Sequence, residues 1–189
     1  MQKLYCYVDE NGMETEGRLF IVAVVVIGGD PQTASSLCEE LESLSGKGKF
    51  KWGKAEKNRR MDYLRRAFVY PDLRGRLCYA VFRGTKDYQN STVEAIARGV
   101  RHFASTSQYT TVTYIDALSK SKRHVYGSLL RKTGIPTSKV QGVTKDENNS
   151  LVRLADAIAG FVRDALDGDS DEIRVLFQQA ENSGALIEV

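Results

Sequence analysis

The sequence predicts an α/β fold, with antiparallel strands 1–3 and parallel strands 4–5 in one mixed sheet flanked by helices. Three observations carry this. The longest apolar run, LFIVAVVVIGG at 19–29, is β-branched and ends in Gly-Gly, so it reads as a buried strand. The run before it is separated from it only by a polar stretch containing Asn11-Gly12, a hairpin signal. After Gly75, strand-like runs alternate with helix-periodic ones, the pattern of parallel strands joined by helical crossovers.

The elements follow in order. The first strand covers about 3–9 and the second about 18–27. Gly28-Gly29-Asp30-Pro31 breaks the second strand and starts a helix over about 31–44, with Leu37, Leu41 and Leu44 at helical spacing. SGKGKFKWGK (45–54) is glycine-punctuated and basic, an ordered loop or short strand. A helix follows at about 55–69, with Met61, Leu64, Ala67 and Phe68 on one side. The third strand is expected over about 75–83, a helix at 89–105, the fourth strand at 110–116 and a helix at 120–132. Gly134-Ile135-Pro136 leads to the fifth strand at about 138–143, and the last long helix spans about 150–166. The tail, 170–189, reads as a helical start and a short strand, ALIEV. Setting aside the basic helical section 30–71, read as an insertion, the order is βββαβαβα. That is the ribonuclease-H-like order.

Composition bounds the function. The chain has 189 residues, 42% hydrophobic and 27% charged, which fits one domain over 1–189 with a full core. No run approaches the roughly 20 apolar residues of a membrane span, and MQKLYCYVDE lacks a signal-peptide pattern. Three scattered cysteines (Cys6, Cys38, Cys78) outside any CxxC pair indicate a reduced, cytoplasmic setting; Cys6 reads as a small buried hydrophobe. His102 and His124 lack Cys or His partners at zinc-site spacing.

The net charge of +3 hides an asymmetry: nine Lys and Arg lie between Lys47 and Arg66, against Glu56 and Asp62. Lys120, Lys122, Arg123 and His124 form a smaller cluster, and Asp164, Asp167, Asp169, Asp171 and Glu172 make the C-terminal segment acidic. Clustered cations suit a polyanion, here nucleic acid, although a solvated helix face explains a charge run equally simply. Phe50 and Trp52 inside the run offer rings on which bases can stack. Lys51, Trp52, Lys54, Lys57, Arg59 and Arg60 are therefore the expected nucleic-acid contacts, with Lys51 and Lys54 able to steady a phosphate.

The chemistry rests on carboxylates. LYCYVDE ends a strand in Asp9, and TVTYID ends another in Asp116. Asp156 sits in SLVRLADAIAG, at the border of an apolar stripe formed by Leu151, Leu154, Ala155, Ile158, Ala159, Val162 and Leu166. Each has a plain structural explanation. Asp9 suits the turn DENG; Asp116 suits a helix cap; Asp156 suits an ion pair with Arg153 or Arg163. Ala159 and Gly160, one turn on, leave room beside the Asp156 carboxylate. Glu10 points away from Asp9 unless the strand has already ended. Jointly the acids say more. Sites in α/β sheets form at the carboxyl ends of strands, and the first and fourth strands are neighbours in this order. Adjacent carboxylates repel unless a cation lies between them, so a hard ion such as Mg²⁺ or Mn²⁺ is expected. Asp146, Glu147 and Asn149 could add oxygen ligands. Tyr5, Tyr7 and Tyr114 read as core or sheet-face residues.

YVDENG, FIVAVVVIGG, KWGK, YID and NNSLVRLADAIAGFVRDAL together resemble domain-of-unknown-function family 3800 over about 4–166. The family has a "DESG"-like start and a "lqlADviag"-like final helix. The resemblance implies a ribonuclease-H-like nuclease with an acid-based metal site at Asp9, Asp116 and Asp156, and Lys54 at a basic position after a tryptophan. Relatives often carry an acid before that tryptophan, where this chain has Gly48, Lys49 and Phe50; Asn11 stands where Ser is commoner.

The expectation is a metal-dependent nuclease cutting DNA or RNA, with Asp9, Asp116 and Asp156 holding the ion and Glu10 and Lys54 completing the catalytic set. A non-catalytic nucleic-acid- or protein-binding module is the alternative, with salt-sensitive binding independent of metal. A hydrolase of a small phosphorylated substrate is a third reading.

Overall fold

A computed structural model describes residues 1–106, 108–143 and 149–189. Asp146 and Glu147 lie outside the described residues. The strands are β1 (Gln2–Asn11), β2 (Phe20–Gly28), β3 (Leu77–Phe82), β4 (Tyr109–Asp116), β5 (Thr137–Val143) and β6 (Leu186–Glu188). The helices are α1 (Pro31–Leu44), α2 (Lys57–Val69), α3 (Tyr88–Phe103), α4 (Lys120–Lys132), α5 (Ser150–Asp167) and α6 (Asp171–Asn182). Among the described residues the strands form one sheet in the order β5-β4-β1-β2-β3-β6. β1–β2 and β2–β3 pair antiparallel; β1–β4, β4–β5 and β3–β6 pair parallel.

Both faces of the sheet are covered, which is why β2 reads as a continuous apolar run. Ile21, Ala23, Val25 and Ile27 join one core with α1, α2, α5 and α6, while Phe20, Val22, Val24 and Val26 join the other with α3 and α4. Cys6, Cys38 and Cys78 are buried thiols, each pushed up to about 12 by burial, so they serve as packing groups and not as nucleophiles. No helix among the described residues is long and apolar enough to cross a membrane.

The expected turn at DENG is displaced. β1 continues to Asn11 because Asp9, Glu10 and Asn11 pair with Ala23, Val22 and Ile21 of β2. The chain reverses instead through Gly12 (φ 99°) and a short 3₁₀ turn at Met13–Thr15. Asp9 is thus a strand residue, yet it stands where β1 parts from β4, whose pairing with β1 ends at Val8–Ile115.

The segment 45–54 is a loop closed by a 3₁₀ turn at Trp52–Lys54, and a buried ionic cluster holds it. Arg153 of α5 forks onto Glu42 of α1 at 2.6 and 2.7 Å, with both side chains almost fully buried. The Lys47 ammonium, also buried, lies 3.9 Å from Glu42 and over the Tyr63 ring. It donates to the Phe50 carbonyl at 2.7 Å. The Gly48 N–H donates to the Glu42 carbonyl at 3.0 Å, adding a backbone tie. The sequence offered no local sign of this cluster: Glu42 sits in CEELESL, which looks like a solvated helix face.

Candidate functional site

Val8 and Ile115 are partners across β1 and β4, so Asp9 and Asp116 are the next residues on two adjacent parallel strands. Two residues earlier, Tyr7 and Tyr114 are also partners, and their rings stack at 5.0 Å with 5° between planes. Side chains alternate along strands, so each acid shares its tyrosine's face, the one covered by α5. Immediately after Asp116, Ala117 takes a left-handed φ of 50°, a conformation costly for a side-chain-bearing residue, and its N–H binds the Val143 carbonyl. The N-cap position of α4 is Ser119, so Asp116 is not the cap residue of that helix.

Asp156 comes in from α5. Arg153 is forked onto Glu42, and Arg163 pairs with Asn11 and Glu14, so these arginines serve other partners. Asp156 Oδ2 instead accepts the Trp52 backbone N–H at 2.7 Å. Electrostatics tie the three acids together. The Asp9 carboxyl is only 9% exposed and stands well above the usual carboxylate range. Burial is the main cause, and the charges of Asp156 and then Asp116 add to it, opposed by the Glu10 N–H and Lys51.

Two groups from the 45–54 loop rest on these acids. The Lys51 ammonium reaches Asp116 at 3.4 Å, and Trp52 supplies its N–H to Asp156. The indole is buried, so the base-stacking role expected for it has no open ring face. Its Nε1–H donates to Asp164 at 2.8 Å, and the Arg60 guanidinium lies 4.5 Å above the ring. Its seat is Gly160, where a Cβ would fall 2.4 Å from the indole Cδ1 and 2.9 Å from the Trp52 Cβ. The small residue makes room for Trp52, where the sequence suggested clearance beside Asp156.

Glu10 projects to the opposite face. It accepts from Thr92 of α3 at 2.5 Å and lines a cleft of about 410 Å³ with Asp116, Lys122 and Tyr126. Burial raises its carboxyl above the usual range; Asp116 adds to the rise, while Thr92 and Lys122 oppose it. Asn149 is committed locally, its Oδ1 capping α5 through the Leu151 and Val152 N–H groups.

The basic run is mostly neutralised inside the protein. Seven of its nine cations hold acids: Lys47 on Glu42, Lys51 on Asp116, Lys57 and Arg65 on Glu172, Arg59 on Glu56, Arg60 on Asp164 and Arg66 on Asp62. The acidic C-terminal segment is thus its counterpart, with Glu172 and Asp164 bridging the two. Lys49 and Lys54 remain, exposed, with side chains that hold no acid among the described residues. They line a pocket of about 350 Å³ with Phe50 and Lys51.

Three carboxylates with all-oxygen donors suit a hard dication in their chemistry. As they stand, no group of three or more His, Cys, Asp or Glu among the described residues is drawn together as a ligand set. A cation at this place would share Asp116 with Lys51 or displace it.

No protein-family model matches the chain, and no curated protein matches its sequence. Solved structures do match. A chain of the PCNA:RNase HII complex from Archaeoglobus fulgidus aligns with a TM-score of 0.53 and 17% identity, covering 96% of this chain and 90% of that one. The ribonuclease H2 from Pyrococcus horikoshii OT3 aligns at 0.49 and 20% identity, over 96% of this chain and 80% of that one. The first of these, with the mixed sheet and its flanking helices, makes the fold ribonuclease-H-like.

Proposed function

We propose that the chain is a metal-dependent nuclease of DNA or RNA, with Asp9, Asp116 and Asp156 as the ligands of Mg²⁺ or Mn²⁺. One observation carries the reading: adjacent parallel strands deliver Asp9 and Asp116 side by side, and α5 adds a third charge that Asp9 feels. For a buried carboxyl opposed by two neighbouring carboxylates, with Lys51 as the nearby cation, a dication would supply further countercharge. The fold shared with a chain of an RNase HII complex supports the same direction, while no family model supports the resemblance to family 3800.

Bound here, the ion would supply an activated water and stabilise charge on the phosphate. Asp9, shielded from solvent, would hold the ion through its carboxylate. Lys54 and Lys49 steady phosphate from the rim, and Lys51 balances Asp116 until the cation arrives. Glu10 belongs to the catalytic set only through Asp116, since its carboxylate opens onto the other face. A second reading, a module that binds without cutting, is favoured by one observation: Lys51 and the Trp52 N–H already satisfy two of the acids.

Asp9→Asn separates the readings. Cleavage of a generic oligonucleotide with Mn²⁺ is expected to fall by roughly 100-fold or more, the scale of losing a central charge-stabilising group. The fold is expected to gain stability. Native Asp9 binds its proton more tightly than the unfolded chain does, so its favourable contribution is complete below the ordinary carboxylate pKa. That contribution is lost as pH rises through the raised native value. At neutral pH without metal, the uncharged amide should therefore raise Tm, by about 2–4 °C per kcal/mol for a chain of this size. Undiminished cleavage by the variant would overturn the proposal.

A further inference from the structure

We infer that Phe50, with Lys49 and Lys54, forms a platform for one unpaired nucleotide of a single-stranded nucleic acid. The inference rests on the nucleic-acid reading above and deepens it. Phe50 is 61% exposed, so its ring face is open to a ligand. It is not a loosely hung side chain. The buried Lys47 ammonium holds the Phe50 carbonyl at 2.7 Å, and the Glu42 carbonyl holds Gly48, so the backbone beneath the ring is fixed from inside the core. A stacking surface with a fixed backbone loses little freedom when a base settles on it.

The flanking charges define the ligand. Lys49 and Lys54 are the two cations of the basic run that hold no acid among the described residues, and both border the pocket containing the ring. An aromatic face between uncommitted ammonium groups matches a base with its phosphates. In a duplex the bases cover one another, so a surface ring reaches a base face only where the strand is unpaired. Lys51, next in the chain, touches Asp116, which places the platform beside the proposed metal site.

The test is fluorescence anisotropy in EDTA with labelled single-stranded DNA, single-stranded RNA and duplex DNA of equal length. Because no metal is held, a failed platform and a failed metal site give different results. Single strands of either sugar should bind more tightly than duplex. Phe50→Ala should weaken that binding about tenfold, within the range of one base stack. Lys49→Ala/Lys54→Ala should weaken binding and flatten its salt dependence. Stronger duplex binding, or unchanged single-strand affinity in Phe50→Ala, would overturn the inference. Both variants alter exposed residues, so their folding can be verified independently by an unchanged Tm.

Discussion

Glu42→Gln should destabilise the protein by about 3–5 kcal/mol, the cost of removing one partner from a buried charge cluster. The substitution preserves shape and removes only the charge. In the native protein that carboxylate faces the Arg153 fork and the Lys47 ammonium, and all three side chains are almost fully buried. Without it, two buried cations lose their shared anion. Chemical denaturation checks this, and a loss under about 1 kcal/mol would contradict it. The effect should also reach the site. The Lys47 ammonium, which would lose its carboxylate neighbour, holds the Phe50 carbonyl, and that backbone leads directly to Lys51 and Trp52.

Gly160→Ala should also destabilise, by about 3 kcal/mol, although the same change in most helix interiors stabilises by about 1 kcal/mol. The added methyl would fall within 2.4–2.9 Å of the indole Cδ1, Cγ and Cβ. The last of these lies at the root of the side chain, so a rotamer change cannot relieve it. Trp52 must move as a unit, carrying its N–H away from Asp156 and its Nε1–H away from Asp164. Thermal unfolding gives the sign directly. A stabilised variant would mean that Trp52 has another seat.

Local pattern revealed what local pattern controls. The uninterrupted apolar run of β2, the helical stripe of α5 and the loop lengths place the strands and helices within a few residues of their observed ends. Asp9, Asp116 and Asp156 stand out because each interrupts or borders an apolar pattern. What escaped is decided by contacts distant in sequence. The basic run looks like a polyanion surface until α6 and the end of α5 bring Glu172 and Asp164 against it. Trp52 looks available for stacking until Gly160, 108 residues later, receives it. β1 continues past Asp9 because pairing with β2 outweighs the turn preference of Asp-Glu-Asn-Gly. Glu42 and Arg153 carry no periodic signature, since each is a polar residue on a helix whose core stripe is otherwise apolar.

Mn²⁺ titration by calorimetry asks directly, without knowledge of the substrate, whether the three carboxylates form a cation site. Saturable binding is expected for the wild-type protein and should be lost in Asp9→Asn/Asp116→Asn. Protons compete with the cation for the Asp9 carboxylate, whose pKa burial raises, so affinity should weaken as pH falls and recover as it rises. Equal binding by the double variant, or no saturable binding by the wild-type protein even with an oligonucleotide present, would rule out a cation site at these carboxylates.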